Sequence, residues 1–150
     1  MGDSTDGLPW RSRAVTFVEN HDTGYRTNED GTPQPGHRFD NFAKGAAVEQ
    51  AYAQLLTHPG LPTVYWKHYF EWGPSMQATI RSLIQARKLA GVHAGSTLYP
   101  QDNAAAKGVY ADGIDGSHGR LYVRIGGSEA SWQPSASGYQ GYRPVAHGQG

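Results

Sequence analysis

The sequence has no cysteine, no excess of either charge and no long apolar run. Without cysteine the chain can form neither disulfides nor thiolate metal sites. The 13 basic and 13 acidic residues give a formal net charge of +0, so no long-range attraction favours a polyanion and we expect no nucleic-acid partner. No apolar stretch approaches the roughly 18 residues of a membrane span, so we expect no membrane partner either.

Residues 1–12 form a polar leader that lacks the basic start and apolar core of a secretory signal. The 150 residues suffice for one ordinary domain or two small ones. Twenty glycines and nine prolines indicate many turns rather than a helical bundle. Near residue 91 the sequence changes from alternating strand and helix patterns to short strand patterns with turns, which divides the remainder into a segment 13–91 and a segment 92–150.

Segment 13–91 alternates between strand and helix patterns. Residues 13–18 are typical of a short buried strand, and residues 41–57 carry a helical apolar period that ends at His58-Pro59-Gly60. Residues 62–66 predict a second strand, and a second helix follows from an N-cap at Ser75 to a stop at Gly91. This order predicts a right-handed parallel βαβα unit.

Segment 92–150 carries short strand patterns separated by turn residues. They lie near residues 97–99, 108–110 and 120–125. Short strands with close turns favour antiparallel pairing, so we expect a small antiparallel sheet here.

One motif is specific. Residues 14–24 read AVTFVENHDTG, which resembles the strand-and-loop segment FV(D/E)NHD of the alpha-amylase family of glycoside hydrolases. Further pieces follow in that family's order: AYAQLLTHPG at 51–60, PTVYW at 62–66, YFEWG at 69–73, LYVRIG at 121–126 and VAHG at 145–148. The pattern is most similar to plant alpha-amylases and bacterial maltooligosaccharide-forming amylases.

The resemblance implies an α/β plus all-β fold. It places two βα units, the seventh and eighth of a (β/α)₈ barrel, in segment 13–91, followed by a small antiparallel β-sheet domain. A complete barrel typically needs about 250 residues. We therefore expect a partial barrel fragment here and a C-terminal domain truncated before its last strand.

The resemblance also implies a sugar site at the end of the first strand. It places His21 and Asp22 against the sugar that becomes oxocarbenium-like, where an ionised carboxylate favours developing positive charge. We predict Asp22 and Glu71 as the catalytic pair, because Glu71 follows the neighbouring strand. The predicted substrate-binding residues are His21, Asn20, Tyr25, Trp66, His68 and Trp72.

Two features of the family have no counterpart in this sequence. Retaining glycosidases need two carboxyl groups about 5 Å apart, and the family supplies both from upstream segments that nothing here resembles. The family's calcium ligands also lie upstream, so calcium is implied by the resemblance but is assigned to no residue. The histidines lack metal-site spacing, and we predict no metal ligand. The resemblance implies an extracellular location.

Three functions stay open at this point. The leading one is an alpha-amylase-like hydrolase acting on α-1,4-glucans, with starch or maltooligosaccharide as its partner. The second is a non-catalytic glucan-binding fragment, and the third is an inactive truncation that self-associates through exposed barrel edges. Simpler explanations also stand: Asp22 as a loop cap, Glu71 as a solvated charge, and most aromatics of 65–72 as core.

Overall fold

The computed structural model describes residues 12–20, 28–32, 46–101, 104, 107–127 and 132–135. Eight elements lie in these ranges, in the order β1, α1, β2, α2, α3, β3, β4 and β5. They form a two-stranded sheet with its helices and a separate three-stranded sheet.

The first sheet is a parallel pair joined through a helix. Strand β1 (Val15–Phe17) pairs with β2 (Leu61–Thr63), and helix α1 (Ala46–Thr57) connects them. Helix α1 ends where predicted, because Pro59 has no N–H to continue the ladder and Gly60 takes a φ of 129°. This sheet has two strands among the described residues, and two strands are compatible with several parallel folds. The partial (β/α)₈ barrel therefore stays a prediction.

The second predicted strand is shorter than expected. Trp66 begins helix α2 (Trp66–Phe70) instead of ending β2. Its β propensity is overridden because this short helix lets Tyr69 and Trp72 pack against the core of α1 and the following helix.

Helix α3 (Pro74–Ala90) starts slightly earlier than predicted. Its N-cap is Gly73 rather than Ser75, because proline at the first helical position has its φ already set for a helix. Its end is as predicted: Gly91 adopts the left-handed conformation at φ 69°, and its N–H bonds the carbonyls of Arg87 and Lys88.

The second sheet is antiparallel, as predicted. Strands β3 (Thr97–Pro100), β4 (Tyr110–Gly116) and β5 (Gly119–Ile125) pair in that order. Strand β4 runs well beyond the predicted 108–110, although its sequence YADGIDG has the composition of a turn. Pairing with a strand on each side outweighs that local preference.

The β4–β5 turn fits closely against the end of α3. A Cβ at Gly116 would lie 2.0 Å from the carbonyl oxygen of Ala90, so only glycine allows this approach. The backbone N–H of Ser117 donates to Gly91 O at 2.9 Å, and that of His118 donates to Ala90 O at 3.0 Å. These contacts join segment 13–91 to the antiparallel sheet.

The main core lies between α1 and α3. Its buried side chains repeat at helical spacing on both helices: Val48, Tyr52, Leu56, Met76, Ile80 and Leu83. A second cluster, formed by Val92, Ile114 and Val123, lies beneath the antiparallel sheet. Among the described residues, none of the helices has the length and apolar character that crossing a membrane requires.

Candidate functional site

The FVENHD motif of residues 17–22 begins at the carboxyl end of β1. Parallel pairing sets Phe17 opposite Thr63, so the chain leaves β1 and β2 at the same edge of the sheet. Glu19 and Asn20 follow β1 there, and α2 follows β2. Parallel αβ proteins bind ligands at this edge, because the loops after neighbouring strands converge on it.

Four buried or half-buried polar groups meet at this edge and form what we call the carboxyl-edge cluster: Glu19, Tyr52, Tyr65 and His68. His68 Nε2 lies 2.9 Å from Glu19 Oε2, and His68 Nδ1 lies 2.8 Å from Tyr52 Oη. The Tyr65 backbone N–H donates to Tyr52 Oη at 3.2 Å. The cluster thus joins the end of β1 to α1 and α2.

The positions of the protons in this cluster follow from counting donors. If His68 is neutral, its Nε2–H donates to Glu19, and its Nδ1 accepts from the Tyr52 hydroxyl, which itself accepts from Tyr65 N–H. An imidazolium would instead donate at Nδ1 and leave the Tyr52 hydroxyl proton with no acceptor among the described residues. The neutral ring is therefore the consistent state.

The ionisation of these groups agrees with that assignment. Burial lowers the pKa of His68 from 6.5 to about 4, because the side chain is fully enclosed and a charged ring would be poorly solvated. Burial, together with the nearby Glu19 charge, raises the pKa of Tyr52 to about 12. At neutral pH both rings are uncharged.

Aromatic rings enclose His68. Tyr52 and Tyr65 meet it edge to face at centroid distances of 5.5 and 5.1 Å, and Trp72 lies against it at 4.2 Å. Trp72, predicted to bind substrate, is half-buried in this packing and also contacts the main core. His68 was predicted to bind substrate as well. It is 0% exposed with both ring nitrogens bonded, so it presents no free donor at the surface.

The other predicted site residues divide into two groups. His21, Asp22 and Tyr25 lie outside the described residues. Asn20 is half-buried beside the cluster, while Glu71 is exposed and caps the C-terminus of α2. The structure describes no contact between Glu71 and the carboxyl-edge cluster.

Trp66, the remaining predicted substrate contact, forms an exposed aromatic pair with Phe70. Their side chains are 65% and 54% exposed, and their ring centroids lie 4.0 Å apart at a tilt of 34°. Exposed rings of this kind suit the apolar face of a sugar. Both residues lie on α2, each two residues from His68 along the chain.

A similar group of side chains lies at the opposite edge of the sheet. This amino-edge cluster consists of His58, Tyr110 and Asp112. His58 Nε2 lies 2.8 Å from Tyr110 Oη and 2.9 Å from Asp112 Oδ2, and Tyr110 donates to Asp112. Burial is the main cause that raises the pKa of Tyr110, and the hydrogen bond to the Asp112 carboxylate is the second. Since His58 precedes β2, this cluster connects α1 to β4 away from the motif.

Sequence reasoning did not find Tyr52 and Glu19 as partners of His68. Tyr52 was one of several apolar positions on α1. Its hydroxyl was the available signal, because a buried tyrosine needs a hydrogen-bond partner. Glu19, placed straight after an apolar strand, was a second signal: a carboxylate is seldom buried unless it is paired.

An open groove of about 420 Å³ runs between β1 and α1, lined by residues including Phe17, Ala51 and Leu55. Of the predicted site residues that the structure describes, none lines it. In the described part of the chain, no group of three or more histidine, aspartate or glutamate side chains is arranged to hold a metal ion.

Comparison with known proteins identifies relatives for most of this chain. No protein-family model matches it. It is 40% identical over 129 residues to a glucan 1,4-alpha-maltotetraohydrolase of Roseateles saccharophilus, covering 86% of this chain and 22% of that protein. A protein of the same name from Stutzerimonas stutzeri is 46% identical over 89 residues, covering 59% of this chain and 15% of that protein. The chain therefore spans less than a quarter of these two relatives.

A plant relative is covered far more completely. The alpha-amylase type B isozyme of Hordeum vulgare is 34% identical over 139 residues, which make up 93% of this chain and 77% of that sequence. Identity at this level over most of both sequences, with the motif at the carboxyl edge of a parallel strand pair, establishes common ancestry. This chain belongs to the alpha-amylase family of glycoside hydrolases.

Proposed function

We propose that this chain acts in the hydrolysis of α-1,4-glucans, with Asp22 and His21 binding the glucose unit at the bond that is cleaved. The observation that carries the proposal is the parallel pairing of β1 with β2. The chain therefore leaves β1 through Glu19 and Asn20 at the carboxyl edge, the edge where βα proteins hold their ligands, and His21 and Asp22 are the next two residues in the sequence.

The chemistry of those two side chains suits a glucosyl transition state. An ionised aspartate stabilises the positive charge that develops on the sugar ring, and an imidazole donates to sugar hydroxyls. Glu71 is the proposed acid partner. Its side chain is exposed at the C-terminus of α2. The sugar-binding role of His21 and Asp22 is independent of Glu71.

The exposed pair of Trp66 and Phe70 favours a second candidate, in which the chain binds glucan without cleaving it. Two large rings left in water at the carboxyl edge offer stacking surface for glucose units. In this case the aromatic pair supplies most of the affinity, and no carboxylate is needed.

Self-association stays a prediction. On the small parallel sheet, the side chains of Val15, Phe17 and Leu61 are 62%, 47% and 47% exposed. Parallel sheets are normally covered on both faces, so a second copy could bury this apolar surface. Gel filtration against concentration checks this, with a monomer at all concentrations as the contrary result. The extracellular location and any bound calcium likewise stay predictions.

Starch hydrolysis and starch binding by the full chain test the two candidates together. We expect reducing-sugar release that Asp22→Asn abolishes and Asp115→Asn leaves intact, since Asp115 pairs with Arg120 at an exposed position of the antiparallel sheet. Binding to insoluble starch without release, lost in Trp66→Ala, would support the second candidate. Release equal in wild type and Asp22→Asn would refute the catalytic assignment.

A further inference from the structure

We propose that the amino-edge cluster is a charge-dependent contact: His58, with a hydrogen on both ring nitrogens, holds the end of α1 to strand β4, and loss of one of those hydrogens loosens it. The contact is separate from the proposed function, because none of the proposed sugar-binding residues belongs to it. Its side chains all lie in the described part of the chain.

Both ring nitrogens of His58 face oxygen atoms. Nδ1 lies 3.0 Å from Thr57 Oγ1, and Nε2 lies 2.9 Å from Asp112 Oδ2 and 2.8 Å from Tyr110 Oη. Thr57 is buried, and only 13% of the His58 side chain and 3% of the Asp112 side chain are exposed. Water therefore has little access to these hydrogen bonds.

The hydrogens of the two neighbouring hydroxyl groups are already used. Thr57 donates to Ala53 O at 2.5 Å, and Tyr110 donates to Asp112. Each hydroxyl oxygen therefore presents lone pairs to the histidine ring, and an ionised carboxylate has only lone pairs to offer. Two ring nitrogens that face only acceptors must both carry hydrogen, and a histidine with two ring N–H groups is a cation. The observed arrangement is that of an imidazolium beside a carboxylate.

A neutral ring disrupts this arrangement. If Nδ1 loses its hydrogen, the Thr57 hydroxyl has to turn from Ala53 O to the ring; if Nε2 loses it, a lone pair faces the Asp112 carboxylate. A hydrogen bond between charged groups is roughly twice as strong as a neutral one. The contact is therefore strongest while the ring is charged. It weakens as pH rises through the range of about 5 to 8, in which histidine side chains ordinarily change charge.

The Tyr110 hydroxyl keeps its hydrogen throughout this range. Burial first, and then its bond to Asp112, raise the pKa of Tyr110, while a hydrogen bond from Gln54 on α1 acts in the opposite sense. Strand β4 therefore presents a neutral hydroxyl and a carboxylate to the ring.

Arg87 on α3 is a nearby positive charge. Its guanidinium donates to His58 O at 2.7 Å and to two further backbone carbonyls. Because Asp112 is hydrogen-bonded to the ring itself, whereas Arg87 is directed at backbone oxygens, the carboxylate has the larger effect on the ring. On β5, the residues that pair with the two β4 positions of the cluster are Val123 and Ile125, which carry no charge.

Strand β4 is attached to segment 13–91 near both of its ends. The amino-edge cluster holds its start, and the turn after Gly116 is held by backbone bonds from Ser117 to Gly91 O and from His118 to Ala90 O. Backbone groups do not titrate in this range. Loss of charge at the cluster therefore frees the start of β4 while its other end stays attached to α3.

Nuclear magnetic resonance of wild type with labelled histidine tests the charge directly. At pH 5.5 His58 should show two slowly exchanging ring N–H signals, because both hydrogens lie in sheltered bonds. The exposed rings of His93 and His118 are the internal controls, since water exchanges their ring hydrogens rapidly. At pH 8.5 one of the two His58 signals should be lost. A single ring N–H signal, or none, from His58 in the folded chain at pH 5.5 would overturn the proposal.

Urea unfolding at the same two pH values measures the strength of the contact. The midpoint of wild type should exceed that of Asp112→Asn by about 0.5 M more at pH 5.5 than at pH 8.5. The contribution of His68 is common to both proteins and cancels at each pH. Asp115→Asn is the matched control on the same strand, because Asp115 pairs with Arg120 instead, and its difference from wild type should not change with pH.

His58→Gln provides a second variant if Asp112→Asn does not fold. Glutamine can donate to the carboxylate but has no charge to lose. The difference in midpoint between wild type and His58→Gln should therefore shrink by about 0.5 M from pH 5.5 to pH 8.5. A purely structural contact predicts a constant difference. A difference that stays constant or grows in the folded variants would refute the charge-dependent contact.

Discussion

Replacing Arg87 tests the contact that fastens the end of α1 to α3. Its guanidinium donates to three backbone carbonyls: Nη1 to His58 O at 2.7 Å and Leu56 O at 3.2 Å, and Nη2 to Gly60 O at 2.9 Å. These oxygens belong to the last turn of α1 and the connection into β2, where no helical N–H follows to bond them. Arg87→Met keeps the aliphatic stem and removes all three donors.

The expected cost can be worked from these three bonds. A hydrogen bond from a charged donor contributes about 1.5–3 kcal/mol, but the bond to Leu56 is long and water can reach part of the site. Arg87 is half-buried, and burial lowers the pKa of its guanidinium; because the cation is partly desolvated, its removal recovers some free energy. Together these effects predict a loss of about 3 kcal/mol, a large share of the roughly 5–15 kcal/mol that stabilises a domain.

Urea unfolding measures this loss directly. With a slope of about 2 kcal/mol per molar, the midpoint should fall by about 1.5 M with the slope unchanged. Arg81→Met is the matched control on the same helix, since Arg81 is exposed and its side chain donates to Tyr69 Oη at 2.7 Å; we expect less than about 1 kcal/mol. Equal midpoints for the two variants would refute the capping argument.

Two further predictions concern packing and pH. Gly116→Ala should destabilise the chain by about 2–3 kcal/mol, because the new Cβ would lie 2.0 Å from Ala90 O. The control is Gly108→Ala, where no atom lies within 4 Å, and it should lose only the roughly 1 kcal/mol that a left-handed backbone costs alanine. Thermal unfolding compares the two variants. Since the folded-state pKa of His68 lies at about 4, below its ordinary 6.5, the unfolded chain takes up a proton first and stability falls as pH drops from about 6.5 to about 4. His68→Gln should remove about 2–3 kcal/mol of that loss in urea titrations at pH 7 and pH 4.5. Identical acid sensitivity in both proteins would contradict the lowered pKa.

Local signals in the sequence determined where most elements begin and end. Pro59 with Gly60 ends α1, and Gly91 ends α3, because a missing N–H and a left-handed residue stop a helix whatever surrounds it. The motif at 17–22 likewise identified the family from the chain alone. Such features depend on neighbouring residues only.

The partners of buried polar groups were decided by the tertiary structure. His68 and Glu19 are 49 residues apart, and His58 and Asp112 are 54 apart, so nothing local indicates that either pair meets. A buried donor must bond whichever acceptor the packing of distant elements brings to it. The same reason explains why the sequence alone did not indicate that His68 is fully buried and bonded at both ring nitrogens.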